Sequence, residues 1–194
     1  MPDYFPAFLD LRGRRCLVVG GGEIGERKTH ALLDCGARVT IVSPSVTTRL
    51  AALAASGRLV HRARPFRRSD PRGCALAVAA TGDPRVDRVV AAAARRWRAI
   101  VNVVDRPQHC DFIVPAVLRR GELQIAVSTG GRSPAIAREI RRRLERFFGP
   151  EYGELISRAG EARNRARAKA RTSAERIEAG ERVARLVLAG RLPA

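Results

Sequence analysis

The chain lacks any apolar run long enough to cross a bilayer, and its first residues lack the basic and apolar segments of a signal peptide. These absences argue against a membrane-spanning or secreted protein and predict a cytoplasmic one. The four cysteines, Cys16, Cys35, Cys74 and Cys110, are scattered without a Cys-x-x-Cys spacing. This pattern argues against a disulfide framework or a structural zinc site and favours reduced thiols.

Acidic residues are scarce, with 19 Asp and Glu against 37 Lys and Arg, and the formal charge is +18. Nearly all of the basic residues are arginine, because Lys28 and Lys169 are the only lysines in the sequence. This excess predicts an anionic partner: nucleic acid, an anionic membrane surface or a polyanionic small molecule. Arginine bias from a GC-rich genome is the alternative explanation. An aromatic content of 5% and the lack of a nucleic-acid motif argue against a nucleic-acid binder.

A glycine motif stands between an apolar run at residues 15–19 and a helical pattern at residues 24–33. Gly20 permits a tight turn, Gly22 lets a pyrophosphate approach the backbone, and Gly25 lets the helix pack close to the strand. The first N–H groups of the helix would face the phosphates. The motif predicts dinucleotide binding, and a glycine-rich turn without a ligand is the alternative.

Strand and helix patterns alternate through the first part of the chain. We predict strands at residues 15–19, 38–42, 59–63, 74–80 and 100–104, and helices at residues 24–33, 47–55 and 83–97. This alternation predicts a parallel sheet with right-handed crossovers, which ends near Asp111.

The pattern then changes to two strand-like runs, residues 112–118 and 122–128, which predict an antiparallel hairpin around residues 119–121. Ser133 and Pro134 suit the start of a helix that would run to about Phe148. A hairpin and one helix are too small to bury their own core, so a second subunit is expected to complete it.

The remaining residues, 151–194, are charged and helical in pattern. Thr172 and Glu175 resemble a capping box, so one helix is expected to end near Arg171 and a second to follow. Gly190 would come after the last turn. The arginines of residues 163–171 stand at every second position, which spreads them around a helix and favours a solvated face over a nucleic-acid grip.

These patterns predict an α/β fold with three parts. Residues 1–111 would form a Rossmann-type parallel-sheet domain that binds the dinucleotide. Residues 112–149 would form a small α+β dimerisation segment, and residues 150–194 a helical C-terminal region.

Asp105 ends the last parallel strand, where ligands of open α/β sheets bind. It suits an acid/base group and, equally, a residue that caps the next segment. His109 is near enough to assist, although a surface or hydrogen-bonding role is the simpler interpretation. Thr81 follows the buried strand on the side expected for a nicotinamide, and either it or Asp83 could cap the next helix.

The second strand ends in Ser43 and Pro44, where an acidic residue usually holds the ribose hydroxyls of NAD. Ser43 or backbone groups could replace that residue. The choice between NAD and NADP therefore stays open by this rule. Arg49 could meet a 2′-phosphate, but it is more simply a solvated helical residue.

Four motifs together resemble a known family: Gly20-Gly21-Gly22 with Arg27-Lys28, Asn102-Val103-Val104-Asp105, Cys110-Asp111-Phe112 with Pro115-Ala116, and Ser128-Thr129-Gly130-Gly131 with Ser133-Pro134. In this order and spacing the chain resembles the precorrin-2 dehydrogenases, the family of the N-terminal module of siroheme synthase and of its stand-alone relatives. Since no methyltransferase module follows, it looks like the stand-alone form.

The resemblance implies that NAD⁺ accepts a hydride as precorrin-2 is oxidised to sirohydrochlorin. Some members also insert ferrous iron, and the sequence leaves that step open. The resemblance further implies a homodimer with interlocked hairpin-helix segments, an active site between the cofactor crevice and the partner, and Asp105 as the acid/base. The acetate and propionate groups of the tetrapyrrole substrate would suit an arginine-rich cleft. Gly25 stands where many relatives have alanine, a difference expected to change little.

The expected site residues follow from the motifs and the resemblance. The cofactor site should include Gly20, Gly22, Glu23, Ile24, Gly25, Ser43, Pro44 and Thr81. The substrate site should include Asn102, His109, Ser128, Thr129, Gly130 and Ser133, with Asp105 as the catalytic residue and no metal ligands. The competing functions are another Rossmann oxidoreductase, a non-catalytic dinucleotide- or tetrapyrrole-binding protein, and a nucleic-acid binder.

Overall fold

The computed structural model describes residues 4–188. The chain divides into two compact units, with the boundary between Val114 and Pro115. Gly190 and the rest of residues 189–194 lie outside the described part, as do residues 1–3. No helix within residues 4–188 is both long enough and apolar enough to cross a membrane.

The first unit is a five-stranded parallel sheet, as the alternating pattern predicts, and the structure gives its strand order as β3-β2-β1-β4-β5. Its strands are β1 (Arg15–Val19), β2 (Arg38–Val42), β3 (Val60–Arg62), β4 (Leu76–Ala79) and β5 (Ile100–Val103). Its helices are α1 (Glu23–Asp34), α2 (Thr48–Ala55) and α3 (Pro84–Arg96), and a 3₁₀ turn spans Pro107–His109. The Rossmann-type parallel sheet is confirmed.

Hydrophobic residues cover both faces of this sheet. Leu17 and Val19 of β1 pack on one face with Val90 of α3, whereas Cys16 and Val18 pack on the other face with Leu32 of α1 and Leu50 of α2. A parallel sheet buried on both faces explains why its strands have near-continuous apolar runs. The carboxyl ends of the strands remain as the edge at which a ligand can bind.

The second unit begins with an antiparallel hairpin of β6 (Ala116–Arg120) and β7 (Leu123–Val127). The predicted first strand, residues 112–118, is wrong at both ends, because pairing starts at Ala116 and continues through Arg120. The turn is formed by Gly121 and Glu122, and Gly121 has a φ of +55°. Glycine at the first turn position favours a tight two-residue turn. Arg119 and Arg120, which were predicted to lie in the turn, therefore belong to β6.

Three helices follow the hairpin: α4 (Pro134–Phe147), α5 (Glu151–Lys169) and α6 (Ser173–Leu188). Ser133 caps α4, since its Oγ accepts the N–H of Ile136 at 3.3 Å. Thr172 and Glu175 form the predicted capping box before α6. The Glu175 N–H donates to Thr172 Oγ1 at 3.2 Å, and the Glu175 carboxylate accepts the Thr172 N–H at 3.2 Å. These local signals placed the helix starts correctly.

The second unit buries few hydrophobic side chains. Within its described residues, the hydrophobic side chains that reach full burial are Leu118, Ala137 and Val187. In contrast, Ile136 is 56% exposed and Phe147 is 74% exposed on α4. This unit therefore presents an apolar helix surface to its surroundings.

Candidate cofactor cleft and active site

A cleft of about 760 Å³ lies at the carboxyl ends of β1, β2 and β4. Three loops line it: Gly20–Gly22 after β1, residues 43–47 after β2, and residues 80–81 after β4. Phe66 and Val86 add apolar surface. A cleft of this size, apolar and with a few polar groups at strand ends, is the usual form of a cofactor site.

The glycines meet the geometric requirements of a phosphate cradle. Gly20 has a φ of +114°, and a Cβ there would lie 2.2 Å from the carbonyl oxygen of Ala80. A Cβ at Gly22 would meet nothing within 4 Å. The turn thus needs glycine at position 20, and the backbone of Gly22 is open to a ligand.

The expectation that alanine would serve equally well at Gly25 is wrong for this backbone. A Cβ at Gly25 would lie 2.2 Å from the carbonyl oxygen of Gly20 and 3.0 Å from its carbonyl carbon. Because those atoms belong to the glycine turn, they cannot move without changing the cradle itself. Gly25 therefore fixes the distance between α1 and the turn.

Helix α1 begins without a side-chain cap. Gly22 is its N-cap residue and supplies no side-chain hydrogen bond. Its first turn includes the exposed residues Glu23 and Ile24. Uncapped N–H groups at a helix N-terminus form a binding site for an anion such as phosphate. A dinucleotide pyrophosphate fits this end of the helix.

Gly21 has a structural role that the three-glycine pattern did not reveal. A Cβ there would lie 2.2 Å from the carbonyl oxygen of Ser45 and 2.7 Å from Val46 Cγ1. The carbonyl oxygen of Gly21 accepts the N–H of Thr47 at 3.0 Å. The glycine loop thus packs directly on the loop after β2. In the sequence, the only sign that position 21 also needs glycine was that Gly20, Gly21 and Gly22 are consecutive.

The loop after β2 is also held by Glu26 of α1. The Thr47 hydroxyl donates to Glu26 Oε2 at 2.5 Å, and this bond is the main cause of the lowered pKa of Glu26. Arg49 Nη1 lies 3.4 Å from Glu26 Oε1, but its side chain is 83% exposed. Arg49 is therefore a solvated helical residue with a weak ion pair.

Ser43 and Thr81 both line the cleft. The backbone of Ser43 is fixed, because its carbonyl oxygen lies 2.9 Å from His61 Nε2. The Thr81 hydroxyl donates to the buried Asp87 at 2.7 Å. Of the two candidate caps for α3, Asp83 is the one that caps it, since its carboxylate accepts the N–H of Arg85 at 2.7 Å.

Asp105 is exposed and lies two residues after β5, with a left-handed backbone φ of +57°. Such a conformation is uncommon for a residue other than glycine, and it occurs where surrounding structure enforces it. Here the surrounding structure is the loop that runs from Asp105 to Asp111. Two hydrogen bonds tie its end to β5: the Asp111 carboxylate accepts the Val101 N–H at 3.0 Å, and the Asp111 N–H donates to Val101 O at 2.8 Å. Cys110 Sγ adds a contact of 3.1 Å to the N–H of Val103.

Asn102 and His109 flank this loop. The side chain of Asn102 is buried, and its Nδ2 donates to Phe112 O at 3.0 Å, so its observed contact holds the chain beside β5. His109 is half-buried, and its carbonyl oxygen accepts a bond from Arg95 at 2.9 Å. The substrate contacts expected of both residues remain predictions.

The remaining candidate substrate residues lie in the second unit, in the loop before α4. The Thr129 hydroxyl accepts the N–H of Ser133 and donates to its carbonyl oxygen, both at 3.0 Å. Ser128 Oγ accepts the N–H of Gly130 at 3.1 Å. Gly130 and Gly131 have positive φ values of +63° and +83°, so this is a tight loop that glycine permits.

Two family models match the chain. One, described as putative NAD(P)-binding, matches residues 7–116, and the other, described as sirohaem biosynthesis protein central, matches residues 120–146. The chain belongs to the family that the first of these models describes as putative NAD(P)-binding, and the sirohaem biosynthesis model matches the segment that follows it. The resemblance drawn from the four sequence motifs is confirmed.

Curated relatives of this family member are siroheme synthases. The protein from Methylococcus capsulatus is 46% identical over 165 residues, which are 85% of this chain and 35% of that protein. The protein from Nitrosospira multiformis is 39% identical over an alignment 198 positions long, which covers 97% of this chain and 42% of that protein. The chain therefore spans well under half the length of these relatives.

A solved structure also resembles this family member. It is that of SirC, a precorrin-2 dehydrogenase, with a TM-score of 0.78 and 27% sequence identity. The match covers 94% of this chain and 89% of that chain. The similarity thus extends over both units.

Lys28 is a candidate site residue to which the sequence motifs assign no role. It is half-buried on α1, and its pKa is lowered by burial and by Arg27. The charges of Asp105 and Cys110 have the opposite effect and raise the pKa of Lys28. Lys28 thus lies close enough to the Asp105 loop to interact with its charges. The sequence feature that could have pointed to Lys28 is that it is one of two lysines in an arginine-rich chain.

Within the described part of the chain, no group of three or more His, Cys, Asp or Glu side chains could hold a metal ion. The polar groups of the cleft are instead backbone N–H and hydroxyl groups. Those groups suit phosphate and ribose oxygens.

Proposed function

We propose that this protein oxidises precorrin-2 to sirohydrochlorin, with NAD⁺ as the hydride acceptor. The observation that carries the proposal is the placement of an open glycine cradle and of Asp105 at the same edge of one parallel sheet. The likeness to a precorrin-2 dehydrogenase over nearly the whole chain supports the substrate class.

The cofactor would lie along the cleft. The uncapped start of α1 and the open backbone at Gly22 would hold the pyrophosphate, with Glu23, Ile24 and Gly25 in the same helical turn. Ser43 and Pro44 line the part of the cleft after β2 and suit the adenosine ribose. Thr81, after β4, would be beside the nicotinamide, which supplies the hydride acceptor when NAD⁺ is bound.

The reaction requires a proton acceptor as well as a hydride acceptor. Precorrin-2 and NAD⁺ give sirohydrochlorin, NADH and one proton. The carboxylate of Asp105 would take that proton, since it is exposed at the end of β5 on a loop that Asp111 and Cys110 hold in place. Lys28, on whose pKa Asp105 has a raising effect, would place a positive charge near the site.

Each unit contributes its own candidate segment for the substrate: residues near Asp105 in the first unit, and the tight loop before α4 in the second. Asn102 and His109 belong to the first group, and the Ser128–Ser133 loop with Thr129 and Gly130 to the second. The acetate and propionate groups of a tetrapyrrole would pair with arginine side chains, which accounts for part of the +18 charge without nucleic acid.

The protein would act as a homodimer. The second unit leaves Ile136, Ile140 and Phe147 of α4 exposed at 56%, 41% and 74%. Ile136 and Ile140 are four residues apart, so they share one face of the helix. A second copy that packs on this face would give the segment of residues 112–149 the core that it lacks alone.

An anaerobic assay tests the activity directly. Precorrin-2 and NAD⁺ should give NADH and sirohydrochlorin in equal amounts, each measured by its absorption spectrum. The Gly22→Asp variant, folded but unable to bind the cofactor, is the control. Ferrous iron added to the completed reaction then tests whether siroheme forms. A protein that binds NAD⁺ and precorrin-2 without forming NADH would contradict the enzymatic function and favour a binding protein.

A further inference from the structure

The C-terminal helices carry a groove that is no part of the cofactor cleft. It lies between α5 and α6, has a volume of about 420 Å³, and is lined by Arg163, Arg167, Ser173, Arg176, Ile177 and the segment Gly180–Glu181. The packing of α5 against α6 forms it within the second unit. Neither the family relationship nor the proposed oxidation assigns it a role.

Three exposed arginine side chains line this groove. Arg163 and Arg167 are four residues apart and share one face of α5. Arg176 comes from the first turn of α6. The alternating arginines of residues 163–171 are thus not equivalent, because the arginine between these two, Arg165, pairs with Glu161 at 3.8 Å instead.

The three groove arginines have no anionic partner of their own. Across residues 4–188, none of them forms an ion pair or a side-chain hydrogen bond. Glu181 at one end of the groove lies 3.6 Å from Arg185 and is therefore engaged elsewhere. Unpaired cations held together repel one another, and a bound anion would relieve that repulsion.

Arg163 of α5 lies close to Gly180 of α6. A Cβ at Gly180 would lie 3.7 Å from Arg163 Nε, so the guanidinium packs against the backbone of the opposite helix. Arg163 is thereby placed between the two helices.

We infer that this groove binds a small molecule that carries at least two phosphate or carboxylate groups. Guanidinium groups bind both anions through paired N–H donors, so the two chemistries share one site. The volume suits a small ligand rather than a polymer. Among its described lining residues there is no aromatic ring on which a nucleic-acid base could stack.

Calorimetric titration of the full chain tests this inference. Inorganic triphosphate and citrate serve as separate probes, at about 0.15 M salt and with NAD⁺ present to fill the glycine cradle. The groove variant is R163Q/R167Q/R176Q. The matched control, R12Q/R142Q/R165Q, removes the same charge from arginines in exposed ion pairs outside the groove.

The wild-type chain should bind at least one probe, and the probe that binds more tightly identifies the phosphate or carboxylate class. The groove variant should bind it at least about tenfold more weakly, whereas the control should change less than about twofold. The single variant Arg176→Gln should show part of the loss if the triple variant folds poorly. Equal losses in groove and control variants, or no binding of either probe, would overturn the inference. Tighter binding of a single-stranded oligonucleotide at the same arginines would also overturn it, in favour of a nucleic-acid surface.

Discussion

Thr47 and Glu26 join the loop after β2 to helix α1 at the border of the cofactor cleft. The hydroxyl of Thr47 donates to the Glu26 carboxylate at 2.5 Å and accepts the N–H of Leu50 at 3.3 Å, so one side chain caps α2 and ties it to α1. The N–H of Thr47 also donates to Gly21 O in the glycine loop. The shape of the cleft thus depends on a contact between residues far apart in the sequence.

Replacement of Thr47 by alanine should lower the free energy of unfolding by about 1 kcal/mol, the usual cost of a lost helix cap. NAD⁺ binding should weaken as well, because the loop after β2 lines the cleft. Thr47→Ser keeps the hydroxyl and is the control. Urea denaturation and NAD⁺ titration of both variants measure the effects, and equal behaviour of the alanine and serine variants would contradict the role of the hydroxyl.

The lowered pKa of Glu26 makes the stability of the fold depend on pH. A carboxyl group with a lowered pKa in the folded state stabilises the protein above its ordinary pKa of 4.5, and this contribution is lost as the pH falls through the lowered value. Denaturation midpoints of the wild type and Glu26→Gln should therefore differ at neutral pH and converge in acid. A constant difference from neutral pH to the acid limit of folding would show that the ionisation of Glu26 is not the cause.

Two glycines of one loop should respond differently to substitution. Gly22→Asp should fold normally and lose NAD⁺ binding, since its Cβ meets no other atom but its carboxylate would repel the phosphates. Gly25→Ala should lose about 1–3 kcal/mol of stability, because its Cβ would overlap the Gly20 carbonyl. Denaturation curves and cofactor titrations separate the two effects. A Gly22→Asp protein with wild-type NAD⁺ affinity would refute the phosphate cradle.

Asp105→Asn should slow precorrin-2 oxidation by about a hundredfold or more, because an amide cannot accept the proton. The fold should survive, since asparagine tolerates the left-handed backbone of this position. Turnover is measured at saturating NAD⁺, with His109→Ala as the comparison and a smaller loss expected there. If His109→Ala is inactive while Asp105→Asn turns over normally, the histidine is the base.

The dimer can be tested with the exposed face of α4. Sedimentation at micromolar concentration should give the mass of two chains. Ile136→Glu combined with Ile140→Glu should give monomers, because each change places a charge on the apolar face. Arg142→Glu, at an exposed arginine of the same helix, controls for changed charge. A wild-type chain that sediments as a monomer would remove the dimer and the shared active site with it.

The sequence predicted those features that depend on neighbouring residues. The strand, glycine turn and helix at residues 15–34 are consecutive, and so are Ser133 with Pro134 and Thr172 with Glu175. The bond between Glu26 and Thr47 could not be read in this way, because only the sheet order brings α1 beside the loop after β2. The proximity of Lys28 to Asp105 is non-local for the same reason.

The hairpin and the C-terminal groove show two further limits. Both strand runs of the hairpin are apolar, so periodicity alone did not place the turn, and the glycine at position 121 decided it. The arginines of residues 163–171 are equivalent in sequence, and the packing of α6 distinguishes Arg163 and Arg167 from Arg165.

If Asp105 has the catalytic role proposed above, its left-handed backbone places stability and turnover in opposition at one position. Glycine would adopt this conformation without the steric cost that a side chain incurs, so Asp105→Gly should raise the melting temperature. The same change removes the carboxylate. Selection of a library for thermal tolerance alone would therefore enrich glycine at this position, whereas selection for siroheme-dependent growth would retain aspartate.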